Sequence, residues 1–302
     1  MIRARLTLHA RLPDRLRRPC ANGWTEHRRH GTPADCFLEG PAIATDGSLW
    51  CVDISNGRLL RLDAGGAWSV IVEHEGWPTG LKLGADGTAY VTDNRLGLLR
   101  LAPGARRFEV LVDRFRGEAL LGVNDLALSP DGDICFTDQG ASDLARPEGR
   151  VLRLARDGRL DLMAAGLPSP NGLAFAPSGG MLYLALTQAN AIWRVMLRPD
   201  GTPGKLGHAI QLSGSIGGGP DGIAFDAVGR FFVCHALAGC LRVFDRLGEP
   251  VARIDTAEGL IPTNLCFDPY RPGLLYVTEA ETGTIQTIDV DPLGLGVEGA
   301  RA

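Results

Sequence analysis

The chain has 302 residues with 31 basic and 35 acidic side chains, a formal charge of −4. With a pI near 5.9 it lacks the concentrated basic footprint of a nucleic-acid binder, and none is expected as a partner. No apolar run approaches the roughly 20 residues that cross a bilayer as a helix, so no membrane partner is expected either.

Hydrophobic residues make up 45% of the chain, enough for a core, and 40 glycines with 19 prolines suit a fold built on turns rather than helices. The first residues carry Arg3, Arg5, Arg11, Arg15, Arg17 and Arg18 with no apolar stretch behind them, which argues against a secretory signal. Residues 1–35 read as a solvated basic arm, although alternation from Leu6 to Leu8 marks one strand-like run within Arg3–Ala10. The 7 cysteines show no C-x-x-C pairing. Cys36, Cys51, Cys135, Cys234 and Cys266 lie in or beside apolar runs, where free cysteine behaves as a small hydrophobe. Cys234 and Cys240 could meet across a hairpin, but a reduced, cytoplasmic protein is the expectation.

From residue 36 to 290 the chain repeats one unit six times: a polar residue, a short apolar run, a turn, and a second apolar run that in four of the six copies ends in an acid. The copies open at Glu39, Thr79, Asn124, Asn171, Asp221 and Thr263, which lie 40, 45, 47, 50 and 42 positions apart. In the third copy, Asn124-Asp125 precede the apolar run, a Pro-Asp-Gly turn and Phe-Thr-Asp138. Two β-rich runs around such a turn read as a hairpin. Two more strands follow in each of the first five units: Arg58–Asp63 and Trp68–Val72 in the first, Ala191–Met196 and Ala209–Leu212 in the fourth. A period of about 40–50 residues with four short strands is that of a β-propeller blade. The predicted fold is therefore all-β, a six-bladed propeller with four antiparallel strands per blade in a single domain. The sixth unit lacks an outer strand, because residues 291–302 form a glycine-rich tail. The N-terminal arm is the candidate to close the ring and remove a bare sheet edge.

In a propeller the first strand of each blade lines the central channel, so the six opening residues form a ring at one mouth. Turn chemistry alone accounts for Asn, Asp or Thr at any one of these positions. It does not account for two carboxylates and two amides converging on one axis, an arrangement that is costly without a cation. Their oxygen donors are of the type hard cations prefer. Glu39, Asn124, Asn171 and Asp221 are accordingly the candidate metal ligands.

The runs Glu39-Gly-Pro, Val123-Asn-Asp-Leu126, Pro170-Asn-Gly-Leu173 and Pro220-Asp-Gly-Ile223 together resemble the senescence marker protein/gluconolactonase/luciferin-regenerating enzyme family over about residues 36–290. The resemblance implies a six-bladed propeller with one divalent cation in its channel, calcium first, with zinc, magnesium or manganese as alternatives. It makes Glu39, Asn171 and Asp221 core ligands and Asn124 a further ligand or substrate contact. It gives Asp221 a second role as the proton acceptor from water. Members are typically lactonases, so a lactone or ester is the implied small-molecule partner. Sugar-lactone members often carry an arginine two residues before the blade-three asparagine. This chain has Gly122 there, and the approach segment Glu118–Val123 is largely apolar, so a less polar lactone or ester stands beside a sugar-acid lactone as the substrate class.

Loops entering each first strand share the mouth, so Asn124, Asp125, Glu118, Trp77 and His235 are the candidate substrate contacts. His235 could equally be a satisfied strand-end histidine, and Trp77 a wedge between blades. Asp138 and its counterparts at the ends of second strands are expected to brace loops. The leading function is a metal-dependent hydrolase opening lactones by metal-activated water, as a monomer or small homo-oligomer. The alternatives are a metal-independent strictosidine synthase-like enzyme and a non-catalytic binding propeller. No G-x-S-x-G or H-E-x-x-H motif supports a serine hydrolase or zincin.

Overall fold

The computed structural model describes residues 1–293; the remainder of the predicted tail lies outside the described residues. Six antiparallel sheets stand around one axis, each with its chain-first strand innermost and the following three stepping outward. Each inner strand touches the next, and that of the sixth blade touches that of the first, which closes the ring. Asp-Gly turns join the first two strands of blades one to three and the outer two of blade three: Asp46, Asp86 and Asp157 each accept a backbone N–H two residues on at 2.9–3.0 Å. These acids hold turns and carry no chemistry. The core lies between blades rather than at the axis, in clusters such as Leu59, Leu81, Val91 and Leu99 between the first two.

The arm is strand-forming, not a free tail, although most of its strand residues stay exposed. Ile2–Arg5 pairs parallel to the outer strand of blade five (Pro250–Asp255), giving that sheet a fifth strand. Thr7–Arg11 pairs antiparallel to Thr284–Asp289 and completes blade six. The arginines that suggested solvation tie the arm down: Arg15 donates to the Trp68 carbonyl at 2.8 Å, and Arg17 and Arg18 pair with Asp35 and Glu73 at 3.0 and 2.9 Å. Between the two strands Leu6 is buried beside Phe232, Leu241, Ile254 and Leu275. Leu6→Ala should therefore cost about 2–5 kcal/mol, read as a lower denaturant midpoint; a change below about 1 kcal/mol would mean the closure is not part of the core.

Two features departed from the sequence pattern. A short helix, Gly23–Arg29, is started by a reciprocal capping pair between Asn22 and Thr25. Blade four's outer strand runs Pro203–Gln211 instead of Ala209–Leu212, because an exposed outer strand needs few apolar residues to pair.

Candidate active site

The inner strands are Leu38–Ile43, Pro78–Leu83, Val123–Leu128, Pro170–Phe175, Pro220–Phe225 and Pro262–Phe267. The ring residues are the second of each, so they lie inside the strands and not before them as the sequence suggested. All six inner pairings shift register at this point. A bulge bends the strand and re-aims its side chains, which lets two successive residues turn toward the axis instead of one. The second of these pairs forms a lower layer of Gly40, Gly80, Asp125, Gly172, Gly222 and Asn264. Asp125 and Asn264 come from opposite blades, three and six, and meet across the axis: Asn264 Nδ2 donates to Asp125 Oδ2 at 3.1 Å. The glycines make room for this floor, since a Cβ on Gly222 would sit 2.3 Å from Asn264 Oδ1.

Above the floor, Glu39, Asn171 and Asp221 are buried and Asn124 nearly so. Thr79 and Thr263 are not part of the donor set, because their hydroxyls donate to the Val123 and Leu38 carbonyls at 3.1 and 2.8 Å and stitch neighbouring blades. Asn124 Oδ1, Asn171 Oδ1 and Asp221 Oδ1 are buried with no hydrogen-bond donor in the protein. Buried acceptors are normally satisfied, and three left bare around one axis call for a positive partner. Burial pushes the Glu39 carboxyl well above the usual range, with Asp221 and then Asp125 adding repulsion against hydrogen bonds from the Gly40 N–H and Asn264. Burial, with the charge of Asp125, does the same to Asp221. Asp125 is raised by burial and held back by the charge of Lys82. Among the described residues no three His, Cys, Asp or Glu side chains gather around one point, because half of this donor set is amide. Four oxygen donors, two of them anionic and three without a donor, fit a hard divalent cation.

The other sequence candidates lie apart from this ring. Glu118 is exposed on a two-stranded hairpin, Arg114–Phe115 with Glu118–Ala119. Trp77 is half-buried beside His27 and packs against the Trp24, Ala34 and Ile54 cluster at the N-terminal arm rather than as a wedge between two blades. His235 is fully buried, with Nε2 3.0 Å from Asn190 Oδ1. Burial, with the positive charge of Arg242 and Arg253, lowers its pKa to about 4, so it is neutral at pH 7. Alternation explains its placement: its strand neighbour Cys234 packs in the core between blades five and six, and His235 takes the opposite face, toward Asn190 of blade four. The second-strand acids brace loops as expected. Glu279 accepts from the Ile261, Glu281 and Thr282 N–H groups at 2.7–3.1 Å, and Asp138 from Gly122 N–H at 2.9 Å. Asp53 and Arg58 form an ion pair with both side chains fully buried. Arg58→Ala strands the carboxylate and should cost about 3–5 kcal/mol by chemical denaturation, whereas a loss under about 1 kcal/mol would show the pair to be dispensable.

Missed in the sequence were Asn264, which closes the floor, Lys82 beneath it, and two partners of the ring amides, Gln139 and Thr187. Asn124 Nδ2 donates to Gln139 at 3.2 Å and Asn171 Nδ2 to Thr187 at 3.3 Å. Each stands one residue past its second strand, a position whose side chain does not follow from the repeat. A groove of about 480 Å³ between blades four and five, lined by Tyr183, Arg194, Phe225 and Phe231, contains none of the ring residues.

Fold and ring together define a six-bladed propeller with an oxygen-donor site at one mouth of its channel. Residues 37–281 match the SMP-30/gluconolactonase/LRE-like region, and the chain belongs to that family. A gluconolactonase of Zymomonas mobilis is 31% identical over 204 residues, covering 62% of this chain and 57% of that protein. Pentonolactonase XacC of Haloferax volcanii is 28% identical, covering 80% of this chain and 81% of its own. Among solved structures, a gluconolactonase of Xanthomonas campestris superposes with a TM-score of 0.74 at 26% identity, over 84% of this chain and 86% of that one. The calcium-binding protein regucalcin of Agrobacterium tumefaciens shares the fold with a TM-score of 0.74 at 21% identity, over 95% of each chain.

Proposed function

We propose that this protein is a divalent-cation-dependent lactonase, hydrolysing the ester of a lactone at the mouth ring. The observation that carries the reading is the set of three buried, donorless oxygens on Asn124, Asn171 and Asp221 beside the buried Glu39. A condensing enzyme without a metal, or a binding platform, leaves those oxygens unexplained. Several relatives are named as lactonases, and the chain spans little more than half of the Zymomonas protein's length.

A divalent cation held by Glu39, Asn124, Asn171 and Asp221 supplies Lewis acidity to the lactone carbonyl and lowers the pKa of water. Calcium suits a site of oxygen donors only, half of them neutral. Asp221 takes the proton of the attacking water, because its Oδ1 is buried with no hydrogen-bond donor in the protein. The water oxygen then bonds to the carbonyl carbon, the ring C–O bond breaks, and the proton held by Asp221 passes to the departing ring oxygen. One water is consumed and a hydroxy acid leaves. The Asp125–Asn264 link beneath restricts solvent to the mouth side.

Two features favour an alkyl-substituted lactone over a polyhydroxylated one. Gly122 has φ of +134° and a Cβ there would lie 2.9 Å from Asn94 Nδ2, so this backbone cannot hold an arginine at that position. Loops entering or bordering the inner strands expose Leu121, Ile216, Leu237 and Leu260. The seven cysteines are all free, which supports a reducing, cytoplasmic setting, and no helix is long and apolar enough to cross a membrane. Hydrolysis of γ- and δ-alkyl lactones beside glucono-δ-lactone, before and after chelation, tests the proposal. Turnover that is abolished by chelation and restored by calcium supports it; turnover indifferent to chelation overturns it, and a preference for glucono-δ-lactone overturns the substrate assignment.

A further inference from the structure

A cation needs the oxygen end of an amide, and an amide has two nearly isosteric ends. A carboxylate has no such ambiguity. Turning Asn124 or Asn171 over would aim N–H groups at the cation, so something must fix the flip of each. We infer that Thr187 and Gln139 are positioning residues that hold the oxygen ends of Asn171 and Asn124 toward the channel axis, an inference that rests on the cation reading above.

The Thr187 hydroxyl has one hydrogen, and it donates this to the Pro220 carbonyl at 2.8 Å. A carbonyl can only accept, so toward Asn171 the Thr187 oxygen can only accept. Asn171 must therefore present Nδ2 to it, as it does at 3.3 Å, and turn Oδ1 away, where it is buried without a donor. Asn124 is held by a longer relay. Its Nδ2 donates to Gln139 Oε1 at 3.2 Å, and Gln139 Nε2 donates to Ser169 Oγ at 2.9 Å. The Ser169 backbone is fixed by its N–H donating to Ser142 Oγ at 2.7 Å, whose own hydrogen goes to the Leu167 carbonyl at 2.9 Å. The Ser169 hydroxyl can accept or donate, so this relay supports the amine end of Asn124 toward Gln139 without dictating it as Thr187 does for Asn171. Asn124 Oδ1 is the end left bare.

The repeat itself separates this role from mere stitching. Gln139 and Thr187 occupy the same place in their blades, one residue past the second strands Ile134–Asp138 and Met181–Leu186. In blades one and five, where the ring residues are the carboxylates Glu39 and Asp221, the residues at this place are Ile54 and Ala236. A hydrogen-bonding side chain thus backs both amide ligands and neither carboxylate. Blade two has Asn94 there behind Thr79, and its amide donates to the Val123 carbonyl at 3.3 Å, a bond between blades with no ligand to orient.

Calcium binding to the full-length, chelator-stripped protein by titration calorimetry tests the inference without any substrate. Thr187→Val removes the acceptor at nearly constant volume, Thr187→Ser keeps it, and Gln139→Met removes the relay. Thr187→Val and Gln139→Met should each weaken calcium binding about 10- to 100-fold, while Thr187→Ser stays within about threefold of the parent. In an Asn171→Ala background Thr187→Val should cause no further loss, because no amide remains to orient. Undiminished binding in both Thr187→Val and Gln139→Met overturns the inference, as does an equal loss in Thr187→Ser, which would assign the residue to packing. Should Thr187→Val fail to fold, Gln139→Met carries the test. A parent protein that binds none of calcium, zinc, magnesium or manganese overturns the cation reading before any substitution is made.

Discussion

Asp221→Ala should lower kcat/KM on any lactone the protein opens by at least about 10³-fold, with the fold intact. Loss of a positioned proton acceptor alone removes a factor of about 10²–10⁴. The same substitution removes one of two anionic donors from the ring, leaving Glu39 as its only carboxylate above the Asp125 floor. Asp221→Asn separates the two losses: it keeps an oxygen donor in the ring and no longer accepts a proton at neutral pH. It should bind calcium more weakly than the parent and, at saturating calcium, still turn over at least about 10²-fold more slowly. Activity of Asp221→Asn restored to the parental rate by excess calcium would show Asp221 to be a ligand only. Retention of parental activity by Asp221→Ala would remove the ring from the chemistry altogether. The companion prediction concerns His235: buried, neutral and bonded to Asn190, it should tolerate His235→Gln with less than about a tenfold change in kcat/KM. A loss as deep as that of Asp221→Ala would restore it to the mechanism.

The ring was legible because a repeat names equivalent positions: six copies in register point to one place in the fold, and the odd residues among them, Glu39 and Asp221, declare what the place is for. Local geometry was less legible. The bulge that admits both Asn124 and Asp125 to the axis leaves no mark in a period-two pattern, so the polar pair looked as if it preceded the strand it belongs to. His235 was assigned to the mouth from register, and the register is correct, since it pairs with Pro220. What register cannot give is which face of the blade His235 takes, and that face, toward Asn190, decides the role. In the arm, the density of arginines outweighed the alternation around Leu6 as a signal, although it is the buried Leu6 and Leu12 that hold the arm in place. Gln139 and Thr187 lie in loops outside the repeated runs, where spacing varies and only the hydrogen bonds reveal a common place.

Removing the cation should destabilise the protein, and more so as pH rises above about 6.5. Glu39 and Asp221 carry folded-state pKa values raised above the roughly 3.9–4.3 of unfolded carboxylates. For groups raised in this way, stability is fully present below the unfolded pKa and is lost as pH climbs through the folded one, because ionising them inside the protein costs more than in water. His235 acts in the opposite sense: its folded pKa of about 4 lies below the reference 6.5, so its contribution is present above 6.5 and lost as pH falls toward 4. Between those values the two effects oppose each other; above 6.5 the loss from the acids is unopposed, joined above about 8.5 by the thiols of Cys36, Cys135 and Cys266, which burial pushes up to about 12. Metal-free protein should therefore lose Tm between pH 6.5 and 9, and Asp221→Asn, with one fewer buried acid, should lose less. Calcium reverses the trend, since it binds the ionised carboxylates. At 100 times its Kd it adds about 2.7 kcal/mol, which for a chain of this size is a rise of roughly 4 °C. The gap between calcium-loaded and chelated protein should widen with pH across that window. A gap that stays constant, or a chelated protein that gains stability above pH 6.5, would mean that Glu39 and Asp221 do not face each other across an ion site.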